Sequence, residues 1–221
     1  MNLTNNYYRP PKVLISPSIA AKSSMLKLLL FILLVNGAMA QRVQIGVELI
    51  PAWSRLESAT LTDVSSQMNF GIGLTTDIDF TDRYAINTGF VLTGRGSNMM
   101  LHDSLSSIRG SYLDIPALLK LSTRQMGYTT LFAKSGLVFS YLRNERTKDV
   151  EGQWHDSEFL NPFAGNVYFG GGALYSLDGR TSLSLELGYL VGLTPGLQKE
   201  YLPDSGRNYL NQLCLKMGIL F

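Results

Sequence analysis

Cysteine is almost absent. Cys214 is alone in 221 residues, so no intrachain disulfide can form, and its bland reading is a small side chain facing a crowded interior. Histidine is nearly as scarce, with only His102 and His155, and charged residues make up 16% of the chain. Long apolar runs are missing too. The one extended run, Leu26–Val35, falls well short of the ~20 residues that a membrane-spanning helix needs, and mean hydropathy is only +0.08. A multi-span helical membrane protein is excluded. A membrane barrel is not, because its strands are apolar on one face only.

The short apolar run follows Lys27 and leads to Ala38-Met39-Ala40. A basic start, a brief apolar core and an A-x-A site predict a secretory signal peptide over residues 25–40, cleaved before Gln41. Residues 1–24 are polar and carry Pro10, Pro11 and Pro17. They are read as a non-native or disordered leader, with Met25 as the true start. Cleavage removes Arg9, Lys12, Lys22 and Lys27 and no acid, so the net charge falls from +2 to −2. Nucleic-acid binding then has no electrostatic support. Residues 41–221 remain as the expected folded domain.

What is present is period-two alternation. In Tyr209–Phe221 the odd positions include Leu213, Leu215, Met217, Ile219 and Phe221, and the even ones Gln212, Cys214, Lys216 and Gly218. That pattern is a strand with different surroundings on its two faces. Seven earlier segments alternate in the same way: 44–53, 68–80, 84–95, 111–122, 128–141, 167–177 and 183–193. Their connections alternate between long and short. The short ones are Thr81-Asp82-Arg83, Arg124–Gly127 and Asp178-Gly179-Arg180; the long ones include Gly96–Arg109, Arg143–Asn166 and Thr194–Asn208. An all-β, eight-stranded antiparallel up-and-down transmembrane barrel produces this rhythm. Pro116 predicts a local bulge or kink, since it cannot donate to a ladder.

A soluble lipocalin-type barrel would place its polar faces in water. Here those faces are rich in Gly, Ala, Ser and Thr, which suits a narrow interior. The predicted lumen receives Glu48, Asp77, Asp79, Arg95, Asp114, Lys120, Lys134, Glu186 and Lys216. Mixed charges in a small apolar space are costly unless paired, so an internal salt-bridge network is expected. Lys216 is expected to pair with Glu48 across the closing seam, or with Glu186. Eight strands leave room for little beyond side chains; a narrow ion or solute pathway is the alternative. Phe80, Tyr84, Tyr175 and Phe221 near one rim, and Trp53, Phe139, Tyr141 and Phe169 near the other, would form interfacial girdles.

With its strands laid out, the chain resembles the small outer-membrane β-barrel family of Bacteroidota, the porin-family or PorT-like barrels. The resemblance covers about residues 41–221 and is carried by Tyr112-Leu113-Asp114-Ile115-Pro116-Ala117-Leu118-Leu119-Lys120, similar to the family's Y-L-E-I-P-L-L-L-K strand with Asp114 in place of Glu. The terminal Phe221 resembles the signal read by the barrel-assembly machinery. The resemblance implies a fold and an outer-membrane location, and little about activity; type IX secretion is the role of one branch.

His102-Asp103-Ser104 and His155-Asp156-Ser157 repeat the same three residues. Adjacent side chains rarely converge on one reacting atom, and the spacing matches no metal-ligand pattern, so no catalytic, metal or cofactor residue is assigned. A rim hydrolase acting on lipid or peptide remains the enzymatic alternative. The segment after Tyr141 places Arg143, Arg146 and Lys148 before Asp149, Glu151, Asp156 and Glu158. Arg143 and Arg146 are candidates for lipopolysaccharide phosphates or a protein partner, with Trp154 as an anchor. Expected partners are outer-membrane lipids and lipopolysaccharide, the assembly machinery during insertion and an unidentified protein. The expected function is a non-enzymatic structural or binding barrel with a filled lumen.

Overall fold

Along Thr181–Gly192 burial alternates residue by residue, with Ser182, Ser184, Glu186 and Leu190 turned in and Leu183, Leu185, Leu187 and Tyr189 turned out. The computed structural model describes residues 42–58, 65–101, 104–148, 153–156, 159–178, 181–196, 198 and 208–221. The expected leader and signal peptide lie outside them. The strands are β1 (Arg42–Ser58), β2 (Ser65–Asp79), β3 (Tyr84–Leu101), β4 (Ser104–Ser122), β5 (Thr129–Lys148), β6 (Trp154–Asp156), β7 (Phe163–Asp178), β8 (Thr181–Gly192) and β9 (Asn208–Leu220). Eight of them form one antiparallel sheet that closes on itself through β4 and β5. β6 stands outside the ring, paired to the far end of β5. Among the described residues there is no helix.

Closure removes the sheet edges that lipid could not satisfy. At the seam, Ile45 and Phe221 exchange backbone hydrogen bonds of 2.8 and 3.2 Å. Large apolar side chains are exposed on every barrel strand, an exterior that is stable only against hydrocarbon. Phe80, Tyr84, Tyr175 and Phe221 are exposed toward the end with the short turns, where the Tyr128 and Tyr175 rings lie 6.0 Å apart. Trp53, Phe139, Tyr141 and Phe169 are exposed farther along, where the Tyr141 and Phe163 rings lie 5.1 Å apart.

Several strands are longer than alternation predicts. A crossing needs ~9–11 residues, yet β3, β4 and β5 have 18, 19 and 20. The expected long loop Gly96–Arg109 is instead a ribbon, with β3 and β4 paired as far as Leu101 opposite Ser104. Likewise the expected polar loop Arg143–Asn166 contains the end of β5, all of β6 and the start of β7. The physical reason is simple. Ladder hydrogen bonds need no apolar side chains, and alternation is legible only where the two faces meet different surroundings.

Pro116 produces no bulge. The register of β4 with β3 is the same on either side of it, although pairing lapses at Ile115 and Pro116, and Pro116 stands opposite Val138 on β5. The bulge falls elsewhere, where Ser111 faces Asn144 but Tyr112 faces Leu142. Arg143 is the extra residue, and it reverses the facing of everything after it on β5.

Candidate functional site

Five strands read in the same order from the short-turn end toward the long-strand end. β1 turns in Glu48, then Ile50 and Ala52, then Ser54, then Leu56; β3 turns in Asn87, Val91 and Arg95. β4 contributes Lys120, Leu118, Asp114 and Tyr112; β5 contributes Lys134, Val138 and Ser140; β9 contributes Lys216, Cys214, Gln212 and Leu210. The lumen is therefore stratified: polar, apolar, polar, apolar. Ile50, Val91, Leu118, Val138, Tyr168, Leu190 and Cys214 form the inner apolar layer. Leu56, Ile108, Tyr112, Leu160 and Leu210 form the outer one.

Every barrel strand contributes to the inner polar layer. Lys120 is ion-paired with Asp77, whose Oδ1 also accepts a 2.6 Å hydrogen bond from Asn87. Lys134 lies 2.9 Å from Glu186, and the Tyr168 hydroxyl donates to the same carboxylate. Phe132 sits between the two lysines, with Lys120 and Lys134 at 5.0 and 5.1 Å from its ring centre. Lys216 lies over the Tyr168 ring at 4.3 Å. It does not form the expected ion pair with Glu48 or Glu186; among the described residues it has none. Glu186 is already engaged by Lys134 and Tyr168, and the ring offers Lys216 a cation–π contact instead. Glu48 is buried opposite Gly218 and also lacks an ion pair among the described residues.

Tyr168 lies along the β7–β8 wall because the wall beside it is bare. Gly170 and Gly188 are direct cross-strand partners, and a Cβ on Gly188 would overlap the Tyr168 hydroxyl. Cys214 donates to the Gly188 carbonyl at 3.4 Å. Glu48, Asp77 and Glu186 balance Lys120, Lys134 and Lys216, so this layer carries no net charge.

The outer polar layer is built around Arg95. Its guanidinium is ion-paired with Asp114 and donates to Ser140 at 3.1 Å and Gln212 at 3.2 Å, and its face lies 5.0 Å from the Tyr112 ring centre. Asn166 donates to Ser140, and Gln212 to the Gly94 carbonyl. The Tyr112–Lys120 strand thus has a physical meaning. Its alternate residues Tyr112, Asp114, Leu118 and Lys120 pass through four successive layers. Of the other predicted lumen residues, Asp79 lies half-buried at the rim and makes no ion pair among the described residues.

The mouth beyond is closed by Leu160 and Phe159, and the group that holds them was not predicted. Glu145, turned inward by the bulge at Arg143, accepts backbone hydrogen bonds from Phe159 at 3.0 Å and Leu160 at 2.9 Å. Gln198 binds the Phe159 and Leu160 carbonyls, and Asn161 binds Gly196 and Pro195. Two inter-strand segments are thereby tied to each other across the opening.

The predicted surface residues fall on strands. Arg143 and Arg146 are exposed on β5, Arg146 standing 3.8 Å from Asp156. Trp154 opens β6 opposite Lys148. Ser104 begins β4 opposite Leu101, whereas His155 and Asp156 pair with Thr147 and Arg146; His102, Asp103 and Ser157 lie outside the described residues.

Solved barrels of similar shape include the attachment invasion locus protein Ail of Yersinia pestis, in complex with the heparin analogue sucrose octasulfate. It is 15% identical over 81% of this chain and 99% of its own, with a TM-score of 0.44. OprG from Pseudomonas aeruginosa is 11% identical over 81% and 95%, with a TM-score of 0.48. The outer membrane enzyme PagL is 10% identical over 76% and 97%, with a TM-score of 0.35. No curated protein matches the sequence. Residues 37–198 match the outer membrane protein beta-barrel domain. With that match spanning most of its length, and with eight strands closed around a filled lumen, the chain belongs to the outer membrane protein beta-barrel domain family and is a protein of the bacterial outer membrane.

Proposed function

We propose that this protein is a non-conducting, non-enzymatic scaffold of the outer membrane, and that its working surface is the strand extension beyond the bilayer. The lumen carries this reading. Two electroneutral polar layers alternate with two apolar ones, and Arg95 and Glu186 are 1% and 0% exposed. A cavity within it, between Arg95 and Tyr168, is about 40 Å³, room for a water or two. An ion passing this stack would have to break buried pairs in succession, each at a cost of several kcal/mol (about 3–5).

The Tyr112–Lys120 strand supports placement among the PorT-like barrels of Bacteroidota. On the same reading the chain is exported with cleavage before Gln41 and inserted by the assembly machinery. Arg143, Arg146 and Trp154 supply contacts to lipopolysaccharide or to a protein partner. Purified protein in a planar bilayer is expected to give no conductance steps, and lipid A from expressing cells is expected to keep its mass. Stepwise conductance from the wild-type protein would establish a pore instead. A lipid A product that appears only with the protein would establish an enzyme.

A further inference from the structure

One cavity in the lumen touches two groups whose polar capacity the protein leaves unused. Asp114 is ion-paired with Arg95 through Oδ2, whereas its Oδ1 is buried with no hydrogen-bond partner among the described residues. A carboxylate oxygen stranded in a low-dielectric interior is costly. Lys216 carries three N–H donors. Its ammonium lies over the Tyr168 ring, and among the described residues it makes no ion pair. Tyr168 belongs to the inner apolar layer, so this ammonium reaches that layer from the inner side, while Asp114 stands on the outer side. The cavity of about 40 Å³ is lined by both, with Ile50 and Val138 of the apolar layer at its sides and Thr93 and Gln212 completing its polar wall.

The lining decides the occupant. A purely apolar cavity stays dry, and a buried water needs two to four polar partners. Here the Asp114 Oδ1 accepts, the Lys216 ammonium donates, and the Thr93 hydroxyl, held only by a 3.5 Å contact with the Gly94 carbonyl, can do either. An anion would suit Arg95 and Lys216 but is repelled by the Asp114 oxygen; a cation would suit Asp114 but is repelled by the other two. Water satisfies both ends. The volume holds about two waters, and a carboxylate–water–water–ammonium chain of three hydrogen bonds spans roughly 8 Å. We infer that buried waters occupy this cavity and link the Asp114 Oδ1 to the Lys216 ammonium, so that the inner and outer polar layers form one hydrogen-bonded network through the apolar layer between them. The bridge deepens the scaffold reading and rests on it in one respect, that the lumen is filled and does not conduct. It also gives Lys216 a partner in Asp114, reached through water rather than by contact.

The test pairs a crystal structure with two substitutions in the cavity wall. The full chain is folded in detergent and crystallised, at a resolution that shows the surface waters of the same crystal. Water is expected within hydrogen-bond distance of the Asp114 Oδ1 and, in one or two steps, of the Lys216 Nζ. The bridge is overturned if the cavity holds no density, if a protein donor takes the Asp114 Oδ1, or if crystals soaked in bromide show an anomalous peak there, which would assign the cavity to an anion. In solution, Val138→Ile adds one methyl to the wall. In a dry cavity it would fill empty space and raise the urea midpoint; here it displaces water that Asp114 needs and lowers it. Val138→Thr keeps the size and adds a hydroxyl, which a hydrated cavity accepts with little change in midpoint and a dry one does not. A rise with Ile, or a fall with Thr as large as that with Ile, counts against the waters. Heat-modifiable migration confirms that each variant is folded. Conductance steps from the wild-type protein in a planar bilayer would sink the scaffold reading, whereas a silent bilayer with a dry cavity sinks the bridge alone.

Discussion

The same chemical pair occurs twice, in opposite settings. Arg95 and Asp114 face each other in the lumen with side chains 2% and 8% exposed, while Arg146 and Asp156 meet beyond the bilayer at 61% and 87% exposed. Inside, the guanidinium also donates to Ser140 and Gln212 and lies against the Tyr112 ring. Outside, the arginine is left to water and to other anions. An ion pair contributes to architecture only where desolvation makes losing one partner costly; in water the same pair is exchangeable. The buried arginine is therefore structural, and the exposed one is exchangeable.

Removing the inner arginine should break this comparison most strongly. Arg95→Met leaves Asp114 buried without its partner and is expected to lower stability by about 3–5 kcal/mol, read as urea-dependent loss of the heat-modifiable gel band. Adding Asp114→Leu should recover most of that loss. Gly188→Val should cost about 2–3 kcal/mol by forcing Tyr168 off its bare wall, and Tyr168→Ala in the same chain should relieve part of it. Glu145→Gln weakens two charge-assisted hydrogen bonds at the mouth. About 1–2 kcal/mol is expected, seen chiefly as faster proteolysis between β5 and β7. Smallest of all, Asp156→Asn should change stability by less than about 0.5 kcal/mol in the same urea series. An Asp156→Asn loss comparable to that of Arg95→Met would remove the distinction between the two settings.

The barrel was legible because lipid and lumen differ, so residues such as Leu185 and Glu186 alternate without ambiguity. Alternation turned nine charges inward; Glu48, Asp77, Arg95, Asp114, Lys120, Lys134 and Glu186 are buried, whereas Lys216 is half-buried and Asp79 lies half-buried at the rim. It could not pair them. Asp77 on β2 meets Lys120 on β4, and Lys134 on β5 meets Glu186 on β8; such meetings depend on the stagger of strands around the ring and on cross-lumen reach. Lys216 illustrates the limit, for its partner is an aromatic ring that no charge count reveals. Tyr168 was visible as an inward residue, but its long reach depends on Gly170 and Gly188 lying side by side. Glu145 was hidden by the bulge. Simple alternation past Tyr141 would turn Glu145 outward, and Arg143 gives no sequence sign that it is the extra residue.

The Arg95–Gln212 contact joins β3 to β9, strands that are not neighbours in the ring, and Gln212 also reaches the Gly94 carbonyl. Lys134–Glu186 does the same for β5 and β8. These links act as braces. A hollow cylinder of this size can flatten, and its last seam can part sideways into the bilayer; a braced one resists both, because either motion stretches a buried bond between strands that are not neighbours. β9 is held to β3 as well as to its two ladder neighbours, so losing one ladder does not by itself release the strand.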